Sequence, residues 1–254
     1  MSLEFTTVVG CDARYCEQFA MVWPTWRRYK PEILASPLLV VCDAAAGGES
    51  WWRRRLDWLD HPDWRVVLWE WPGRQADRLD GWSQRERMLS AFVYAPCEHV
   101  QTRYWLKLDT DTVATAPGAW FDREWFAGSP ALVSSPWPYT KPGVWIDRLE
   151  EWGDRHPQLG AFASLGLRSS PGAETFRHAR IASWLCFVRR DFGRLAASYA
   201  PERLPVPSQD TYHWYVASRR GEAIVRRRMK EYGWMPIRND RRRRQLVQEA
   251  MRAG

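Results

Sequence analysis

Two aspartates one residue apart, Asp109-Thr110-Asp111, follow directly on an apolar run that starts at Tyr104 and ends at Leu108. In an extended backbone, residues two apart point to the same side. Both carboxylates can therefore face one point just past the end of the run. Two neighbouring anions are costly to gather unless a cation or a proton offsets them. A hard divalent ion with oxygen ligands is a natural offset, and Mg²⁺ or Mn²⁺ keeps positions open for phosphate oxygens. The alternative is a surface turn with two solvated acids, because Asp is a common turn residue. The position at a strand end favours a site, since open α/β sheets place their ligands outside the carboxyl ends of strands.

Other residues have chemistry to offer. Asp43 closes the apolar run Pro37–Cys42, where it can hydrogen-bond a ribose or base, or cap the next turn. Arg85 and Arg87 stand near the start of a helical stretch, where they read as exposed helix charges. Asp210 follows Ser208 and Gln209 at the start of another. There it can stabilise the helix N-terminus. His213, one turn later, shares its helix face.

The elements that must position these residues alternate. Glu4–Gly10, Pro37–Cys42 and Trp64–Trp71 read as strands, as does the run into Asp109. Helical spacing fills 14–29, with Pro24 interrupting it, then 49–59 and 82–100. The last has Ser83 and Glu86 as a capping box. Strand-helix alternation predicts an α/β fold with a mostly parallel sheet flanked by helices. The second half is less regular: strands at 131–135, 181–188 and 232–237, helices at 144–154, 189–198 and 209–217, and a Gly/Ser-rich loop at 165–175. Residues 241–252 read as a basic terminal helix or a frayed tail. No repeat or clean linker divides the chain, so one domain is expected over 1–254. Roughly the first 110 residues read as a Rossmann-like nucleotide-binding half.

Composition narrows the classes. With 254 residues and 45% hydrophobic content, a sizeable core is expected and general disorder is not. Eighteen tryptophans exceed ordinary usage; some belong in the core, and those beside prolines at 71–72 and 137–138 can line a groove. A net charge of +7 suits an anionic partner, such as nucleotide phosphates, nucleic acid or an acidic membrane surface. The five scattered cysteines contain no CxxC pair, which argues against a thiolate zinc site and for reduced thiols in a cytoplasmic protein. No signal peptide and no membrane-length apolar run is seen. Neither GxGxxG nor GxxxxGK[ST] occurs at a strand-to-helix turn, which sets aside dinucleotide enzymes and P-loop nucleotidases.

The order FTTVVG, PLLVVCD, a long helix feeding YWLKLDTDT, then IASWLCFV and SQDTYHW, resembles the glycosyltransferases of the GT-A fold over about residues 4–237. The resemblance implies transfer of a sugar, a hexose by expectation, from a nucleoside-diphosphate sugar to an acceptor hydroxyl, with a Rossmann-like nucleotide-sugar half at 1–115, an acceptor half at 116–238 and the basic segment at 239–254. The acceptor would be a glycan, a lipid-linked sugar or a small molecule. It implies Mn²⁺ or Mg²⁺ on Asp109 and Asp111, with Asp109, Asp43 and Arg85 at the donor and Asp210 as the base. A late histidine serves many members as third metal ligand; His213 is the candidate here, with His178 behind it. Two departures stand out: relatives carry Glu-Asp or Asp-Gln-Asp where this chain has Ser208-Gln209-Asp210, and many inverting members follow the second strand with Gly-Ser. The stereochemical outcome is therefore open. The basic C-terminus can hold such an enzyme against an anionic membrane.

Two rivals remain. LDTDTVAT also fits the first motif of haloacid dehalogenase-type phosphatases, with Asp109 as nucleophile, although that motif normally opens its fold. A basic, tryptophan-rich chain can also stack on single-stranded nucleic acid.

Overall fold

The computed structural model describes residues 4–69, 84–117, 123–136, 144–159, 181–200, 204–206 and 209–252. The aliphatic and β-branched runs form β1 (Phe5–Cys11), β2 (Leu38–Asp43), β3 (Trp64–Trp69) and β4 (Tyr104–Leu108). They are followed by β5 (Thr112–Ala114), β6 (Leu132–Pro136), β7 (Ile181–Arg189), β8 (Ile224–Arg226) and β9 (Trp234–Pro236). Seven of these make one sheet in the order β3-β2-β1-β4-β7-β6-β8, and β5 pairs with β9 in a small ladder. β1 is parallel to β2 and β4, β2 to β3, and β6 to β8. β7 runs antiparallel to both β4 and β6. The sheet is thus mixed and mostly parallel, as its sequence alternation predicts. β1 and β4 are neighbours although two strands and their helices separate them in the chain. This is the switch point at which open sheets form a ligand crevice.

The helices are α1 (Ala13–Tyr29), α2 (Pro31–Leu34), α3 (Glu49–Arg55), α4 (Gln84–His99), α5 (Val144–Asp154), α6 (Arg190–Tyr199), α7 (Gln209–Arg219) and α8 (Asp240–Arg252). They cover both faces of the sheet. Side chains alternate along β4: Tyr104, Leu106 and Leu108 join a core with Phe19 and Trp26 of α1. Trp105 joins a second core with Phe92 of α4 and Tyr212 of α7. Trp26, Trp52, Trp105, Trp214 and Trp234 are fully buried, so much of the tryptophan excess is core. The tryptophans at 71 and 137 lie outside the described residues, as do Ser83, Ser208, His178 and the 165–175 loop.

One expectation changes, and one open alternative is decided for the helix. Pro24 does not interrupt α1, which runs through it. An interior proline costs about 3 kcal/mol, whereas Phe19, Val22, Trp23 and Trp26 are buried around it, at about 1.5–3 kcal/mol for a large apolar side chain. The C-terminal segment is no frayed tail. α8 lies against α1: the Arg28 guanidinium donates to the Met251 carbonyl at 2.7 Å, and the Tyr29 hydroxyl donates to the Ala250 carbonyl.

Candidate active site

The Asp109–Asp111 turn is fixed from both sides. The Asp109 N–H donates to the Trp184 carbonyl of β7 at 2.9 Å, and the Thr112 N–H closes the turn on the Asp109 carbonyl at 3.1 Å. β5 then pairs with β9, and the Ile237 N–H donates to the Asp111 carbonyl at 3.0 Å. The C-terminal segment therefore braces the turn that leaves the central strand.

The acids sit in unlike surroundings. One oxygen of Asp109 accepts from Nζ of Lys107, whose side chain is only 1% exposed. Asp111 Oδ1 is buried without a hydrogen-bond partner. Burial, and then the negative charge of Asp109, push the Asp111 carboxyl up to about 6, while Arg243, Lys107 and Arg238 pull it the other way. The two carboxylates thus share one field, as their spacing predicts.

Arg243 and Arg238 were not singled out by sequence reasoning. Arg243 is 1% exposed. Its Nε and Nη2 donate to the Ile237 carbonyl at 2.9 and 2.5 Å, and its Nη1 to Asp240 at 2.7 Å. Ile237 in turn holds Asp111, so one arginine ties α8 to the acidic turn. The spacing of Arg243, Leu246, Val247 and Ala250 marks a buried helix face. That was the signal that a run of four arginines conceals.

Asp210 lies in the first turn of α7 and is buried. Its charge acts on the thiol of Cys186 in β7, which burial raises to about 12, and Lys107 acts on the same thiol in the opposite sense. Cys186 is the cross-strand partner of Lys107. Asp210 is thereby brought to the level of the sheet from which Asp109 emerges. Asp43 ends β2 on the same edge of the sheet, and its Oδ1 accepts from the Ala45 N–H at 2.9 Å. That bond is the turn-capping use of this residue. Arg85 and Arg87 fall in the first turns of α4, and their side chains lie outside the described residues.

His213 does not join the acids. Its ring is buried 6.3 Å from the Trp105 ring and 6.0 Å from Phe192, centroid to centroid. Trp105 lies four residues before Asp109, about 13 Å back along an extended strand. Burial lowers His213 to about 3, and its Nε2 has no hydrogen-bond partner. The expected third ligand is a core histidine. Helix periodicity put it near the face of Asp210, but the ring packs into the apolar layer beneath.

A hard divalent ion fits what remains. Two carboxylates, one with a buried unpartnered oxygen, are the donors Mn²⁺ or Mg²⁺ takes. Among the described residues, no group of three His, Cys, Asp or Glu side chains could hold a metal. The pair would leave the other coordination positions to water and to a ligand's oxygens.

No protein-family model matches the sequence, and no curated protein sequence matches it. Solved structures match the fold. The mannosyltransferase Ktr4p from S. cerevisiae aligns with a TM-score of 0.55 at 12% identity, over 83% of this chain and 65% of that one. Core-mannan synthase A (CmsA/Ktr4) from Aspergillus fumigatus aligns with a TM-score of 0.51 at 12% identity, over 83% and 69%. The chain has the GT-A fold. Within it, Asp109-Thr110-Asp111 follows the fourth strand, so the phosphatase reading, whose motif opens its fold, is set aside. A 4-diphosphocytidyl-2C-methyl-D-erythritol synthase from Anaerococcus prevotii also aligns, with a TM-score of 0.54 at 11% identity over 100% of both chains. The GT-A fold is thus shared by proteins named for different reactions. It is the site that must choose among them.

Proposed function

We propose that this protein is a metal-dependent glycosyltransferase that moves a sugar, by expectation a hexose, from a nucleoside-diphosphate sugar to an acceptor hydroxyl. The observation that carries the proposal is the unpartnered buried oxygen of Asp111 beside Asp109, at the switch point of a GT-A sheet. Related structures are consistent with it: Ktr4p has been solved with GDP, and CmsA in an Mn/GDP form.

Asp109 and Asp111 would hold Mn²⁺ or Mg²⁺. When bound, the ion would offset the negative charge that gathers on the departing nucleoside diphosphate. Arg238, exposed and close enough to lower the Asp111 carboxyl, would share that task from the protein's side. Asp43, at the end of β2, would contact the donor's nucleoside. Arg85 is assigned to the donor as well: α4 returns antiparallel to the strands it connects, so its first turns lie on the site's edge of the sheet. Asp210 would take the proton of the acceptor hydroxyl as its oxygen attacks the anomeric carbon. Among the described residues, no helix is long and apolar enough to cross a membrane. A lipid-linked acceptor would be met by peripheral contact through the basic C-terminus.

A thermal-shift panel of UDP, GDP, CDP, TDP and ADP, each with and without Mn²⁺, tests the proposal. A ligand that binds only the native state raises the melting temperature. One diphosphate that stabilises only with Mn²⁺ is the expected result, and it names the donor's base. No shift with any diphosphate overturns the reading.

A further inference from the structure

β4 places a lysine where an aliphatic residue would be the ordinary choice. All five of its residues, Tyr104–Leu108, are buried. A buried ammonium is costly unless it is paired and hydrogen-bonded. Lys107 donates to the Asp109 carboxylate, and its Nζ lies 5.1 Å from the centroid of the Phe92 ring. Its field reaches Asp111 and Cys186. The acidic pair thus has a cation of its own inside the fold, and the formal charge of the three groups is −1 rather than −2.

We propose that Lys107 is a built-in counter-ion that keeps a bare divalent cation from settling on Asp109 and Asp111, so that metal and nucleoside diphosphate bind and leave together. The inference rests on reading those two acids as metal ligands. The ammonium engages one Asp109 oxygen and competes with a metal for it. It also repels a divalent ion brought within a few ångströms, in surroundings where water screens poorly. A diphosphate supplies enough negative charge to outweigh that repulsion. Without Lys107 the two acids would hold the ion on their own, and product release would leave it behind.

The test counts free Mn²⁺ by electron paramagnetic resonance during titration of the full chain, with and without GDP or UDP. The variants are K107M, which removes charge and donor, K107Q, which keeps an N–H donor without the charge, and K107R, which keeps the charge. The wild type is expected to bind Mn²⁺ at least tenfold more tightly with its diphosphate than without. K107M and K107Q are expected to bind nucleotide-free Mn²⁺ at least tenfold more tightly than the wild type, and K107R to stay near the wild type. Should K107M fail to fold, K107Q decides, because it retains the bond to Asp109. Neutral variants that bind bare Mn²⁺ no better than the wild type overturn the counter-ion role while the metal site stands. A wild type that binds no Mn²⁺ even with a diphosphate overturns the metal reading and this inference with it.

Discussion

Asp111 is a carboxylate held where its own charge is unwelcome, and that has a measurable consequence. Its carboxyl titrates near 6 in the native state rather than near the ordinary 3.8. Between about pH 4 and pH 6 the folded protein therefore keeps a proton that the unfolded chain has lost. Stability falls as pH rises through that window, and the loss is complete above it. The full shift corresponds to about 3 kcal/mol, and partial solvent screening brings it to about 1–2 kcal/mol. D111N removes the charge, so without metal it should melt above the wild type at pH 7.5, with the gap closing near pH 4. The same variant should lose the Mn²⁺-dependent shift with diphosphate. A variant that melts lower at pH 7.5 would make Asp111 a structural acid. On the proposed reading Asp210 plays a different part, in the transition state. D210N should lower kcat by about 10²–10⁴-fold and change donor affinity by no more than about twofold. A collapse of donor affinity in calorimetry would show that Asp210 touches the donor or holds the fold.

Among the elements, α8 is the one whose role most exceeds what its residues announce. It reaches the acids through Arg243, whose guanidinium holds the Ile237 carbonyl and whose charge acts on Asp111. R243M would leave that carbonyl short of its donors, at a cost of about 1–3 kcal/mol. Urea unfolding should show the loss, and the diphosphate-plus-Mn²⁺ shift should shrink with it. R241M, on the exposed side of the same helix, should change neither. Equal effects of the two variants would reduce α8 to a generic stabiliser. Such couplings are what the sequence carried least legibly. Strands β1, β2, β3, β4 and β7 were readable because each is a mostly apolar or β-branched run, broken in β3 and β4 by a single charge. β5 and β8 were not, because three residues give no periodicity of their own. That β7 runs antiparallel between β4 and β6 could not be read either, since an apolar run states burial and not direction. Local spacing alone puts Asp109 and Asp111 on one turn, where the charge of the first acts on the second. His213 was misplaced because helix phase fixes a side of the helix, while the depth of the ring depends on Trp105 and Phe192, residues distant in the chain. Lys107 went unread although a lone charge inside an apolar strand is a local signal.

At the scale of the whole molecule, positive charge is gathered on the C-terminal segment that braces the acidic turn. Arg226, Arg227, Arg228, Lys230 and Arg238 are exposed on and after β8, and Arg241, Arg242 and Arg244 are exposed on α8. Of the exposed residues, Arg238 already acts on Asp111, so the basic segment reaches the place where the proposed diphosphate would sit. A surface of one sign beside a crevice raises the encounter rate of an opposite charge, and salt removes the effect within a Debye length of about 10 Å at 0.1 M. The association rate of the preferred nucleoside diphosphate should therefore fall about tenfold between 0.05 and 0.5 M salt, while its dissociation rate changes little. Stopped-flow tryptophan fluorescence can follow both, given eighteen tryptophans. Replacing Arg241, Arg242 and Arg244 by Gln should flatten most of that dependence without altering the melting temperature by more than a degree or two, because none of the three is buried. An association rate indifferent to salt would separate the basic face from donor capture. If oligonucleotides then bound with a steep loss of affinity in salt, that face would be a nucleic-acid surface on a GT-A scaffold, and the acids at the end of β4 would need another explanation.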